Sequence, residues 1–240
     1  MAARGTGRGR RLGLTRDKVI AAAVTVIDRD GPGSFSLRRL AAELDVETMS
    51  LYNHVPNKEA LLDGVAELLL ARIDFSAAGT GTWQDRVRAH AAAFRAAAQR
   101  HPHAFPLVLT RPTQSSAALG TIRSGLACVA GLGLAPEELV HVLRSYIAFV
   151  VGTIMRELGS AITVGTMDPG QVQQRIDEIT ATGDPLLASA APSLAVSDHD
   201  VEFDYGIELL IAGLAARVGV PYERPAPAGP PANARTRKGR

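Results

Sequence analysis

Cysteine occurs once in the 240 residues, so no disulfide framework can form within the chain. Cys128 sits in the apolar stretch GLACVAGLG and reads as a buried, inert thiol in a reducing compartment. Aromatic residues make up only 5% of the chain, and runs with strand-like alternation are almost absent. No uninterrupted apolar run reaches the length of a membrane span, and the arginine-rich start MAARGTGRGRRLGL is followed by no apolar signal core. A cytoplasmic protein with no membrane partner is expected. Also missing are a phosphate-cradling glycine loop and a nucleophile in a recognisable turn, and the pair His101 and His103 flanks Pro102 without a third metal ligand nearby. The expectation is therefore no enzyme, no cofactor and no metal.

Acidic residues are missing from both ends. Residues 1 to 16 hold five arginines and 224 to 240 five basic residues, so the tails carry +10 against a whole-chain charge of +2, leaving −8 on residues 17 to 223. An acidic body with basic arms suggests a polyanionic partner for the N-terminal arm. The proline-rich C-terminal tail reads equally as an uninvolved, solubilising segment.

What is present is helical periodicity. Apolar residues recur every three or four positions from Thr15 onward, which predicts an all-helical chain. Thr15 caps a first helix with Val19, Ala23, Val26 and Ile27 on one face, ended by DGPGS. Ser36 caps LRRLAAEL, and after a short break at Asp45 and Val46 comes a helical segment about two turns long, TMSLYNHV. Pro56 and Asn57 then stop it and open KEALLDGVAELLLARI. Further helices are expected over 82–102, 115–133, 136–158, 172–180 and 199–218, and 182–200 reads as a loop.

The second and third helices are short and separated by few residues, the arrangement of a helix-turn-helix. In TMSLYNHV, Leu51 and Val55 anchor the element, while its other face is polar and hydrogen-bonding, as base edges and phosphates require. The DNA-reading set is Ser36, Arg38, Thr48, Met49, Ser50, Leu51, Tyr52, Asn53, His54 and Lys58. Tyr52 and His54 are read as phosphate contacts over the alternative of core or capping residues. Lys58 opposes the helix dipole at the first turn of the fourth helix, and a phosphate bound beside it supplies a reason for its charge.

The stretch LTRDKVIAAAVTVIDRDGPGSFSLRRLAAELDVETMSLYNHVPNKEALLDGV resembles the DNA-binding domain of the tetracycline repressor (TetR) family, and LYNHVPNKEALL follows that family's LYxHFxxKxxLL-like pattern. LTRPT at 109–113 and FDYGIELLIAGL at 203–214 resemble the ligand-binding domain of the tetracycline repressor subgroup. The resemblance implies a basic arm over 1–14, a three-helix DNA-binding domain over 15–62, a larger helical ligand-binding and dimerisation domain over 63–222 and a tail over 223–240. It further implies a ligand-released repressor that binds double-stranded operator DNA, a palindrome, as a homodimer. The helices 136–158 and 199–218, apolar on more than one side, would form the dimer bundle.

Where the subgroup presents an Asn and a Phe to its ligand, this chain has His90 and Phe94; the histidine reads as a polar contact or as a core residue. At the two metal-associated positions of the subgroup stand Leu107 and Arg156, so the inducer is not expected to need magnesium. The expected cavity is lined by Phe94, Leu107, Leu143 and Ile147, with His90, Thr110, Arg111, Arg123 and Arg156 as polar groups. That set suits a mostly apolar small-molecule effector, anionic or carbonyl-bearing if the arginines face it. Two other classes stay open: a constitutive DNA-binding protein without a ligand, and an enzyme on a helical scaffold.

Overall fold

The computed structural model describes residues 13–111, 115–159 and 168–224. The expected basic arm, apart from its last residues, and the tail beyond Arg224 lie outside the described residues, as do Pro112 and Thr113 of LTRPT. Among the described residues there are eleven α-helices and no strand.

Four helices make the head: α1 (Arg16–Asp30), α2 (Leu37–Glu43), α3 (Thr48–Leu51) and α4 (Lys58–Ala71). Their starts are fixed by side-chain caps. Thr15, Ser36 and Asn57 accept the amides of Lys18, Arg39 and Ala60. Gly31, at φ +79°, ends α1 where a side chain would be strained. Between α2 and α3 the chain turns through Asp45 at φ +52°, a left-handed position that Asp tolerates better than most residues. The third helix is one α-turn, Thr48–Leu51, rather than two. Beyond it, Tyr52, His54 and Val55 bond back to Met49 and Leu51 in turns that stop ahead of Pro56.

The body contains α5 (Trp83–Arg100), α6 (Pro106–Thr110), α7 (Ser116–Val129), α8 (Pro136–Glu157), α9 (Pro169–Thr180), α10 (Pro185–Leu194) and α11 (His199–Val218). Two of these correct the sequence reading. The five-residue α6 is too short for periodicity to reveal, and α10 lies inside the segment expected to be a loop. Asp184 caps α10, Pro185 stands at its first position and Pro192 lies within it. α9 and α10 pack against each other. One buried core, from Val19 and Ile27 through Leu61 and Val65 to Phe105, Ile154 and Ile211, runs from head to body without a break.

Charged clamps hold α5 to the two long helices. Arg95 pairs with Glu157 of α8 at 2.7 Å and Asp200 of α11 at 2.8 Å, and its guanidinium lies over the Phe203 ring. Arg88 grips Glu208 of α11 with two bonds of 2.7 and 2.9 Å, and these hold the Glu208 carboxyl below its usual range. α8 and α11 meet closely because Gly206 faces Phe149; a Cβ there would lie 2.2 Å from the ring.

Candidate DNA-reading head and effector cavity

Met49 is 72% exposed and Tyr52 44%, Asn53 is exposed, and Thr48, Ser50 and His54 are half-buried. Leu51 corrects the expected set. It is fully buried, an anchor that wedges α3 onto the head's core with Val55 and cannot touch DNA. Ser36 accepts the Arg39 amide at 3.2 Å and so orients the start of α2, while Arg38 beside it is exposed. Arg39, also exposed, donates to the Ser34 carbonyl. The exposed Lys58 donates from Nζ to the Phe35 carbonyl at 3.4 Å and lies 5.7 Å over its ring, which places the cation between α4 and the start of α2.

In the body, a partly open cavity of about 340 Å³ lies between α5, α7, α8 and α11, lined among others by Trp83, Val87, His90, Val129, Leu143 and Tyr146. A smaller space of about 50 Å³ lies beyond His90 and Tyr146, against Phe94, Ile122, Leu143 and Ile147. His90 and Leu143 thus border both spaces, and Phe94 and Ile147 border the smaller one. Gly125 keeps the junction open. A Cβ there would meet Leu143 at 3.1 Å and the His90 ring at 3.6 Å.

Five expected ligand contacts line neither space. Leu107 packs into the core, and Thr110 turns its hydroxyl to the Pro106 carbonyl. Arg111 pairs with Glu59 and Asp63 of α4, each at 2.6 Å, Arg156 pairs with Glu202, and Arg123 is exposed to solvent. The expected positive lining therefore fails, because these arginines have carboxylates or water to face. Nor do the two metal-associated positions fit a divalent cation. Leu107 offers no donor atom, and Arg156 brings a positive charge.

The inner wall is neutral instead. His90 is 3% exposed and its Nδ1 lies 2.8 Å from the Tyr146 hydroxyl, while Phe75 stacks on its ring at 4.3 Å. Burial lowers the imidazole to about 4, against a weaker opposing pull from the Thr121 carbonyl. Its Nε2 is buried without a hydrogen bond of normal geometry. Burial likewise pushes the Tyr146 hydroxyl and the Cys128 thiol up, so all three stay uncharged near neutral pH. Sequence reasoning missed Tyr146, Trp83 and Val87 as lining residues. Gly125, a small residue on α7, is a further sequence signal for this space.

Comparison with known proteins places this geometry in context. Residues 19–65 match the family model for bacterial regulatory proteins of the tetR family, and residues 75–218 match the model for the tetracyclin repressor-like C-terminal domain. The HTH-type transcriptional repressor DrrR1 of Streptomyces coeruleorubidus is 31% identical over 224 residues, covering 88% of this chain and 81% of its own. The tetracycline repressor protein class E of Escherichia coli is 28% identical, covering 85% of this chain and 92% of its own. Among solved structures, ActR of Streptomyces coelicolor in complex with actinorhodin shares 25% identity, 86% of this chain, 99% of its own and a TM-score of 0.75.

Proposed function

Because this chain belongs to the TetR family of bacterial transcriptional regulators, we propose that it is a ligand-released repressor that binds a palindromic operator as a homodimer. The observation that carries the reading is the joining of two features through one core. An exposed, polar α3 with Met49, Tyr52 and Asn53 outward sits at one end, and a largely apolar cavity around His90 and Tyr146 at the other. The relatives' names speak of repression, and a structural neighbour is solved with an organic ligand, actinorhodin. A cytoplasmic location follows from a role on operator DNA, and no catalytic step is part of this reading.

The cavity favours a mostly apolar effector, since its lining is largely apolar, the buried His90, Tyr146 and Cys128 of its inner wall are uncharged near pH 7, and the lining cation Arg217 is paired with Glu138. Binding releases DNA only to the extent that the effector prefers the non-binding arrangement of the heads. Selection from random duplex DNA with the full chain tests the function. Enrichment of two-fold symmetric sites with half-sites about one helical turn apart, or a multiple of it, is expected. Enrichment of single, asymmetric half-sites, or no enrichment, would refute it.

A further inference from the structure

Beyond α11 the chain is tied down a second time. Gly219, at φ +69°, closes the helix, and Val220 bonds back to the Ala215 carbonyl. Residues 221–223 then form a strap across the start of α5. The Gln84 side chain, only 2% exposed, donates from Nε2 to the Pro221 carbonyl at 2.7 Å and accepts the Glu223 amide at 2.8 Å. Arg88 donates to the Glu223 carbonyl at 2.7 Å, and the Tyr222 hydroxyl to Glu208 of α11 at 2.8 Å. A buried amide that satisfies both its polar ends on main-chain groups fixes the point from which the following residues depart. An uninvolved tail has no use for so fixed a root.

The root lies at the pole of the body opposite the reading head. α5 leads from it to the joint where His101 meets Asp28 of α1, about 25 Å from Gln84 at the helical rise of about 1.5 Å per residue. α11 runs the other way along it, with Asp200 paired to Arg95 and Glu208 to Arg88, so its last turn also lies far from the head. Arg224 stands beside Glu208 and helps hold that carboxyl down. In sequence, ten uncharged residues follow, four of them proline, and then Arg235, Arg237, Lys238 and Arg240, with no acid over 225–240. Ten residues span at most about 35 Å. These four cations could therefore reach the head only fully stretched along a body that carries −8 over residues 17–223. The arginines of residues 1–16, by contrast, run directly into α1 of the head.

The composition of the segment selects its partner. Residues 225–240 contain no aromatic ring to stack on unpaired bases and no apolar side chain larger than proline to enter a membrane. Three guanidinium groups and one ammonium remain, which suit the closely spaced phosphates of a duplex. Resting on the DNA-binding reading above, we propose that residues 235–240, rooted by the strap at the far pole, bind a second double-stranded DNA segment without regard to its sequence. A dimer seated on its operator presents two such segments on the side away from that operator and bridges it to another duplex.

Operator duplex fixed to beads, loaded with the full chain and then offered a labelled non-operator duplex, tests this. Wild type is expected to capture the second duplex, with log K falling against log salt by about 0.9 for each phosphate neutralised. An Arg235→Gln/Arg237→Gln/Lys238→Gln/Arg240→Gln variant, altered only beyond the strap, should bind the operator within about twofold of wild type and capture the second duplex at least about tenfold more weakly. Equal capture by the variant, or none by wild type, would overturn the proposal. So would an operator affinity that falls along with capture, which would put the segment on the operator instead. If no two-fold symmetric operator is selected, the regulator reading fails by itself and the second site is still decided. Fluorescence anisotropy of the non-operator duplex, titrated with each protein, then supports it by weaker binding of the variant and refutes it by matched affinities.

Discussion

The carboxylate of Asp28, near the end of α1, accepts a hydrogen bond from Nδ1 of His101 at 2.7 Å. Its second oxygen accepts the Ala104 amide at 2.9 Å, and its backbone carbonyl takes the His103 ring at 2.8 Å. One residue of the head thus holds the whole approach to α6. Removing its carboxylate leaves two donors without an acceptor, which costs on the order of 1–3 kcal/mol. Asp28→Ala should therefore lower the urea midpoint without changing the slope of the transition, whereas Asp28→Asn, which keeps one acceptor, should lose less.

At the far end of the same segment, Arg111 pairs with Glu59 and Asp63 of α4. The carboxylates are 70% and 56% exposed, so each pair is worth at most about 1 kcal/mol. Arg111→Ala should leave the melting temperature nearly unchanged. Its cost should fall on communication, because α4 is the helix of the head that α6 of the body touches. Operator binding is expected to persist while effector-driven release weakens several-fold. A variant that releases DNA like wild type would show that α6 and α4 communicate without this pair.

His90 sets an acid limb on stability. Its folded value of about 4 lies below the ordinary 6.5, so the unfolded chain takes up the proton first as pH falls. The contribution is complete above pH 6.5 and is lost progressively as pH drops toward 4, amounting to on the order of 3 kcal/mol if burial is the whole cause. Thermal unfolding of wild type and His90→Gln between pH 7.5 and 4.5 isolates it. The gap between the two proteins should shift in favour of the variant as the medium becomes more acid. A gap independent of pH would mean that His90 is protonated in the fold or already relieved of its burial.

The head was legible in the sequence because its determinants are local: caps at Thr15, Ser36 and Asn57, a turn at Asp45, and a short polar segment where a core helix would carry aliphatics. The body's long helices were legible from periodicity. The cavity was not, because its walls come from four helices separated by up to 134 residues of chain, as with Trp83 and Arg217. Arg111 and Arg156 show the difference most clearly. In sequence each is a cation free to face a ligand, but the fold hands one to α4 and the other to α11.

The reading surface separates into residues that position the head and residues that choose the sequence. Lys58 projects its cation beside the start of α2, and Tyr52 lies exposed just past α3, both suited to phosphate rather than base edges. Lys58→Ala should weaken binding to every duplex alike and lower the slope of log K against log salt by about 0.9 for each phosphate that goes unneutralised in each half-site. Tyr52→Ala should weaken all sequences similarly. Met49, at 72% exposure the most accessible apolar side chain on α3, is placed instead for a thymine methyl or another base-edge contact. Met49→Gln and Asn53→Ala should therefore change which operators are enriched, with discrimination of about 1–3 kcal/mol per base pair removed or redirected. Titrations at several salt concentrations against the selected operator and a scrambled duplex separate the two classes. If Lys58→Ala left affinity and salt slope untouched while Met49→Gln weakened both duplexes equally, the proposed docking of α3 would have to be abandoned.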